Sequence, residues 1–289
     1  MSFARLQTRT RHPSAFTLVE LMIVIAIVGV LASLITVGVM KAFERSKLVS
    51  ARIEISQLEA AVAAAKLDLG NVDELPSILK LYNTPAAFQS DQIGKDTLNL
   101  LTKAFGKTWT ANTTCNWMGP NFTGPYPVTI SGMEALVYWL GGIKDSTGAF
   151  QGFSSNKTTP WDLTTTKRKG PYYEFDSARV TNKTSLTLAS SYNNGWDGPY
   201  LYFSKSFYNT PINGVNAYRS NNSPATLPAT YPPYPASYFY NPKTFQIISS
   251  GQDQTFGPGG YYQPPFTIGV PGYDDLSNFS STILGKKDE

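Results

Sequence analysis

The sequence implies an α+β chain: a long amino-terminal helix whose first half spans a membrane, then a body built on short strands. Three stretches carry that expectation. Leu21 to Met40 is an uncharged, mainly apolar run of 20 residues. Leu48, Ala51, Ile55, Leu58, Val62, Ala65 and Leu69 follow at alternating steps of three and four, the stripe of one helix face. Past Leu140, aromatic and β-branched runs are broken by Gly, Pro and Asn, the texture of strands and turns.

The chain opens on residues 1–15, a leader with Arg5, Arg9 and Arg11 and no acid. Ser14-Ala15-Phe16-Thr17-Leu18-Val19-Glu20 then leads into the apolar run. An ordinary secretory signal is cut after its apolar region, which is lost. Here the small residue, Ala15, precedes that region, so a cut after it leaves the apolar segment on the mature chain. At about 1.5 Å per residue the run covers roughly 30 Å, the hydrocarbon thickness of a bilayer. Ser33 and Thr36 can bond back to the preceding turn, and Gly29 and Gly38 are tolerated in lipid. An ionisable group costs at least ~2.5 kcal/mol at the bilayer centre. Glu20 therefore either lies at the edge, capping the first turn where the helix dipole favours negative charge, or it has a partner.

The helix is expected to run on to Leu69, since no proline lies between Phe16 and that residue. Gly70-Asn71 supplies a stop. Such a helix is about 80 Å long and needs a partner surface along its length. Its stripe from Leu48 to Leu69 suits either a coiled coil or the chain's own body. Lys41, Glu44, Arg45, Lys47, Arg52, Glu54, Glu59, Lys66 and Asp68 read as its solvated face. The segments are thus 1–15, 16–40, 41–70 and a body at 71–289. Within the body, Val72–Phe105 reads as helical in patches around Leu75, Ile78, Leu79 and Leu81. Met133–Leu140, bounded by Gly132 and Gly141-Gly142, reads as a short amphipathic helix. Tyr172–Val180, Ser185–Ala189, Pro199–Phe203 and Phe245–Ser249 read as strands, with a Pro- and Tyr-rich excursion at Tyr208–Pro242.

Composition narrows the function. Net charge is +4, and the leader's three arginines account for most of it, so no basic surface for nucleic acid is expected. Cys115 is the sole cysteine, which rules out an internal disulfide. His12, the sole histidine, lies in the leader; the mature chain then has none for Ser-His-Asp or Cys-His catalysis or for zinc. Glu174 and Asp176, at i and i+2 on a predicted strand, would face one side and could in principle do acid–base work. No nucleophile or phosphate loop accompanies them. A membrane-anchored enzyme or binding protein is therefore the least supported reading, and no enzymatic activity is expected.

The segment from Ser14 through the apolar run resembles the class III signal of type IV pilins and type II secretion pseudopilins. That resemblance implies a prepilin peptidase cutting between Ala15 and Phe16 and methylating Phe16. It assigns Glu20, fifth after the cut, to meet the α-amino group of Phe16 on a neighbouring subunit. It also favours embedding the helix's outer half in a small antiparallel sheet, a pilin-like lollipop. Two departures are visible: Ala15 replaces the usual Gly, and Ile35-Thr36-Val37-Gly38-Val39 lacks the proline many members carry there.

Three later segments are similar to the major, G-type pseudopilin. Gly195-Trp196-Asp197-Gly198-Pro199-Tyr200 resembles its Trp-Gly-X-Pro-Tyr segment, with Asp197 inserted between Trp and Gly. Phe245–Asp253 resembles its last strand and Ser-X-Gly-X-Asp turn, and Asp274-Asp275-Leu276-Ser277-Asn278-Phe279 its closing motif. The resemblance implies one Ca²⁺, a hard cation wanting six to eight oxygens. Asp253, Asp274 and Asp275 would supply carboxylates and Ser250 a neutral ligand, although Gln254 replaces the Gly that often follows the Asp. The function implied is a structural subunit in the bacterial inner membrane with its body in the periplasm. It would polymerise with itself and with minor pseudopilins, driven by an assembly platform and an ATPase. A type IV pilin for adhesion, motility or DNA uptake is the alternative within the same family. Lys41, Arg45 and Lys47 nearly balance the leader's arginines, so the processing signal, rather than flanking charge, sets the expected orientation.

Overall fold

The computed structural model describes residues 17–286 apart from 183, 186, 221–232 and 263–266. The leader, Ala15 and Phe16 lie outside the described residues, as does the middle of the Tyr208–Pro242 excursion. Helix α1 (Leu18–Asp68) is continuous over 51 residues, as the uninterrupted pattern predicts. The chain divides into two compact units, one ending at Leu48 and the other beginning at Val49.

In the first unit every described residue up to Lys47 is exposed. Among the described residues, α1 is the one helix long and apolar enough to cross a membrane. Its polar members turn inward: Ser33 Oγ donates to Val30 O at 2.7 Å and Thr36 Oγ1 to Ala32 O at 2.8 Å. Both hydroxyls are thus paired within the helix, as a segment crossing lipid would require. The helix passes through Gly29 and Gly38 without a break.

In the second unit, Ala51, Ile55, Leu58, Val62, Ala65 and Leu69 are buried. The stripe therefore lies against the chain's own body, the second of the two partners it suits. Gly70 and Asn71 both take left-handed backbone, at φ 87° and 51°. Val72 N returns to Lys66 O at 3.0 Å, closing the helix as a glycine C-terminal cap does. One member of the supposed solvated face is misassigned: Glu54 is buried. It lies one position from Ile55 and three from Ala51, on the flank of the buried stripe.

Strand β1 (Ile78–Leu81) pairs antiparallel with β2 (Val128–Ser131), Ile78 opposite Ser131. Ile78–Leu81 is thus a strand, not a helical patch: Leu79 and Leu81 are buried while Ile78 and Lys80 are half-buried, a period of two. Helix α2 (Gln92–Phe105) is real, and Asp91 Oδ1 caps it by accepting from Gly94 N at 2.7 Å. Helix α3 (Met133–Gly141) falls where expected but is not amphipathic. All its residues except Glu134 are buried, so it is the body's central helix.

Short ladders follow: β3 (Phe153–Ser154) with β4 (Arg168–Lys169), and β5 (Val180–Thr181) with β6 (Ser191–Tyr192), both antiparallel. The predicted strand Tyr172–Val180 contributes only its last residue to β5. Ahead of it, Asp176 builds a turn, accepting from Ala178 N at 2.9 Å through its side chain. The described residues of Ser185–Ala189 likewise form no strand; Leu188 N donates to the Ser185 hydroxyl at 3.0 Å, a local turn that competes with a ladder. The two most apolar predictions hold. β7 (Tyr200–Ser204), β9 (Phe245–Ser249) and β11 (Leu276–Ser277) form an antiparallel sheet in the order β11-β9-β7. β8 (Tyr218–Arg219) and β10 (Gly260–Tyr261) make a parallel pair. Leu201, Phe203 and Ile248 from this sheet bury themselves with Tyr218, Phe239 and Tyr262.

Candidate functional site

Two places carry the residues that the resemblance assigns to assembly and to metal binding. At the start of α1, Thr17 and Glu20 form a reciprocal capping box. Thr17 N donates to Glu20 Oε2 at 2.9 Å, and Glu20 N donates to Thr17 Oγ1 at 3.2 Å. Within one chain, then, Glu20 caps the first turn. Its carboxylate remains exposed and directed at the helix start, the end that Phe16 precedes.

The second place is the carboxyl-terminal acidic turn, where Ser250, Asp253, Asp274 and Asp275 come together. Asp274 Oδ2 accepts the amides of Gln252 and Asp253, the latter at 3.0 Å. Asp253 Oδ1 accepts from Thr255 N at 2.7 Å. Asp275 is fully buried; its Oδ2 accepts from Gly257 N at 3.0 Å and Tyr218 Oη at 3.5 Å. Burial pushes the Asp275 carboxyl up to about 7, and the nearby charges of Asp274 and Asp253 push the same way. Burial also raises Asp253, with Asp274 adding to it. Two buried oxygens here have no hydrogen-bond partner, Ser250 Oγ and Asp275 Oδ1.

The neighbouring segment closes this turn from the other side. Asn194 Oδ1 accepts from Trp196 N and Gly198 N, both at 2.9 Å, while its Nδ2 donates to Ser249 Oγ at 2.9 Å. Asp197, the inserted residue, takes φ 65° and so absorbs the extra position in a tight turn. A Cβ at Gly198 would run into Ser250 Oγ. The donor set is all oxygen, and Ser250 Oγ and Asp275 Oδ1 are buried without a hydrogen-bond partner, a chemistry that suits a hard cation. Among the described residues no three acidic side chains converge on one point, so neutral oxygens would have to complete the shell.

Sequence reading missed a third constellation, centred on Glu54. Its Oε1 accepts from Tyr192 Oη at 2.8 Å and Tyr173 Oη at 3.1 Å. Its Oε2 accepts from Arg179 Nη1 at 3.0 Å and from the Tyr200 hydroxyl. The available signal was its position on the flank of the buried stripe.

The comparisons with known proteins bear on the first place. The prokaryotic N-terminal methylation motif matches residues 10–36, the span that holds Ala15, Phe16 and Glu20. Type II secretion system core protein G of Pseudomonas aeruginosa is 40% identical over 58 residues, 20% of this chain and 41% of that protein. The chain thus spans about two fifths of the length of the curated relative it matches. No solved structure matches the chain. The amino-terminal region thus carries a prokaryotic N-terminal methylation motif and is similar there to a type II secretion system core protein.

Proposed function

We propose that the protein is a structural subunit of a type II secretion-like pseudopilus. Residues 16–40 anchor it in the inner membrane, a prepilin peptidase cuts before Phe16 and methylates it, and the body stands in the periplasm. The observation that carries the reading is how much of α1 is apolar and uncovered. Beyond the membrane run, Val49, Ile53, Ala60, Ala63, Ala64 and Leu67 are still exposed. Most are displaced by two positions from the buried stripe, about 200° around the helix. Lipid covers the first stretch; the outward stripe above it needs protein, and helices of identical copies supply the matching surface. The small alanines permit close approach. An ATPase and platform would draw subunits from the membrane, and minor pseudopilins would start the filament.

Glu20 is suited to a switch of partners: in the single chain it holds Thr17, and in the polymer it would receive the methylated amine of a neighbour's Phe16. Glu20→Leu tests this. The variant is expected to insert and to yield N-methyl-Phe16 on amino-terminal sequencing, yet to give about tenfold less filament, the factor that a loss of about 1.4 kcal/mol produces. Wild-type filament yield would overturn the pairing role. Fibres on the surface of intact cells would favour the type IV pilin reading over a periplasmic pseudopilus.

The carboxyl-terminal turn is proposed to hold one Ca²⁺ through Asp253, Asp275, Ser250 and nearby carbonyls, with Asp274 shaping the turn. Bound there, the ion would neutralise the crowded carboxylates and fasten the turn after β9 to the segment leading into β11.

A further inference from the structure

A cavity of about 590 Å³ opens in the body beside the segment from Pro171 to Val180. Phe150, Pro171, Tyr172, Tyr173, Glu174 and Phe175 line it. That volume is within the usual 300–1,000 Å³ of ligand sites. The walls are held in advance of any ligand. Tyr172 Oη donates to Asp68 Oδ2 at 2.7 Å, and Tyr173 Oη donates to Glu54 Oε1 at 3.1 Å. Buried Phe175 packs edge-on against Tyr173 at 4.8 Å and tilted against Phe150 at 5.3 Å.

With both hydroxyls engaged on α1, the pocket offers mainly aromatic surface, Ser177 and one carboxylate, that of Glu174. The two acids of this segment are not equivalent. Asp176 lies 3.6 Å from Arg179 Nε and also accepts from Ala178 N. Glu174 is exposed and makes no ion pair among the described residues. Aromatic faces and a carboxylate attract a cation and repel an anion. Lys41, Arg45 and Lys47, just past the membrane run, are exposed and likewise make no ion pair among the described residues.

Building on the polymer reading above, we propose that this pocket receives a basic side chain from residues 41–47 of a second copy. A cationic side chain set between aromatic rings and Glu174 would fix which neighbour each body faces. The test uses full-length chain assembled into filaments from a mixture of isotopically light and heavy subunits. A carbodiimide joins a carboxylate to a lysine amine in direct contact. The expected product is a mixed-isotope peptide linking Glu174 to Lys41 or Lys47, absent from subunits dispersed in detergent. Arg45 does not react this way, so charge exchange covers it. Glu174→Lys should reduce filament yield about tenfold with unchanged thermal stability, and Arg45→Glu in the same chain should restore it. Glu174→Gln should reduce yield less. Neither link nor rescue in a preparation whose wild type forms filaments overturns the proposal alone, as does Glu174 linked to another protein. A wild type that forms no filaments overturns the polymer reading together with it.

Discussion

Glu54 shows how a single carboxylate can lock a helix to its body. Its side chain is 9% exposed, an environment that by itself disfavours charge. Burial pushes its carboxyl up, but Arg179, Tyr200 and Tyr192 together outweigh burial and leave it below the usual glutamate value. A group depressed in the folded state stabilises the fold above its unfolded pKa of about 4.3, and that contribution is lost as pH falls through the folded value. Removing one partner of a buried pair costs about 3–5 kcal/mol. Arg179 is 26% exposed, and solvent screening sets the expectation for Glu54→Ala at the low end, about 3 kcal/mol. Urea unfolding at neutral pH and again near pH 3 checks this. The gap between wild type and variant should be large at neutral pH and shrink in acid; parallel curves at both values would count against the lock.

The two faces of α1 make opposite predictions. Leu58 is fully buried, and Leu58→Ala should cost about 2–5 kcal/mol of folding stability. Leu67 is 70% exposed, so Leu67→Glu should change folding stability by no more than about 0.5 kcal/mol while sharply reducing filament yield. Thermal melts and sedimentation of assembled material separate the two effects. A Leu67→Glu chain that polymerises normally would remove the outward stripe from the proposed interface. The length of α1 was readable because its pattern repeats over many turns and ends in Gly70-Asn71. β5, by contrast, is two residues long, too short for any period to show. The segment before it is fixed instead by distant partners, Tyr172 on Asp68 and Tyr173 on Glu54. Glu54 was misread for a related reason: residue type outweighed its place beside the stripe, and its partners lie more than a hundred residues away. The resemblance pointed to the stretch that holds Asp253, Asp274 and Asp275, but the engagement of Asp274 by the turn's amides was not readable, because amide direction is a property of the folded loop.

The carboxyl-terminal end closes the body. Asn278 Nδ2 donates to Glu59 Oε1 on α1 at 2.8 Å, and Asn278 Oδ1 accepts from Ile247 N at 3.0 Å. Phe279 stacks on Tyr240 at 4.6 Å. The stretch from Asp274 to Phe279 therefore reaches the central strand, the helix and the aromatic core at once. The acidic turn sits at its entrance, with Ser250 Oγ and Asp275 Oδ1 buried and unpartnered. A cation bound only by the folded turn would stabilise the body by about 2.7 kcal/mol at a hundred times its dissociation constant. For a body of this size that corresponds to a rise of roughly 5–10 °C in Tm. The full chain in detergent should thus melt higher with millimolar calcium than with a chelator, and Asp253→Ala should abolish the difference while leaving the chelated Tm nearly unchanged. Asp253 is exposed, so its removal leaves no cavity, which separates loss of the ion from loss of the fold. If Asp253→Ala keeps the full calcium-dependent shift, the ion is held elsewhere and Asp253 has no part in binding it.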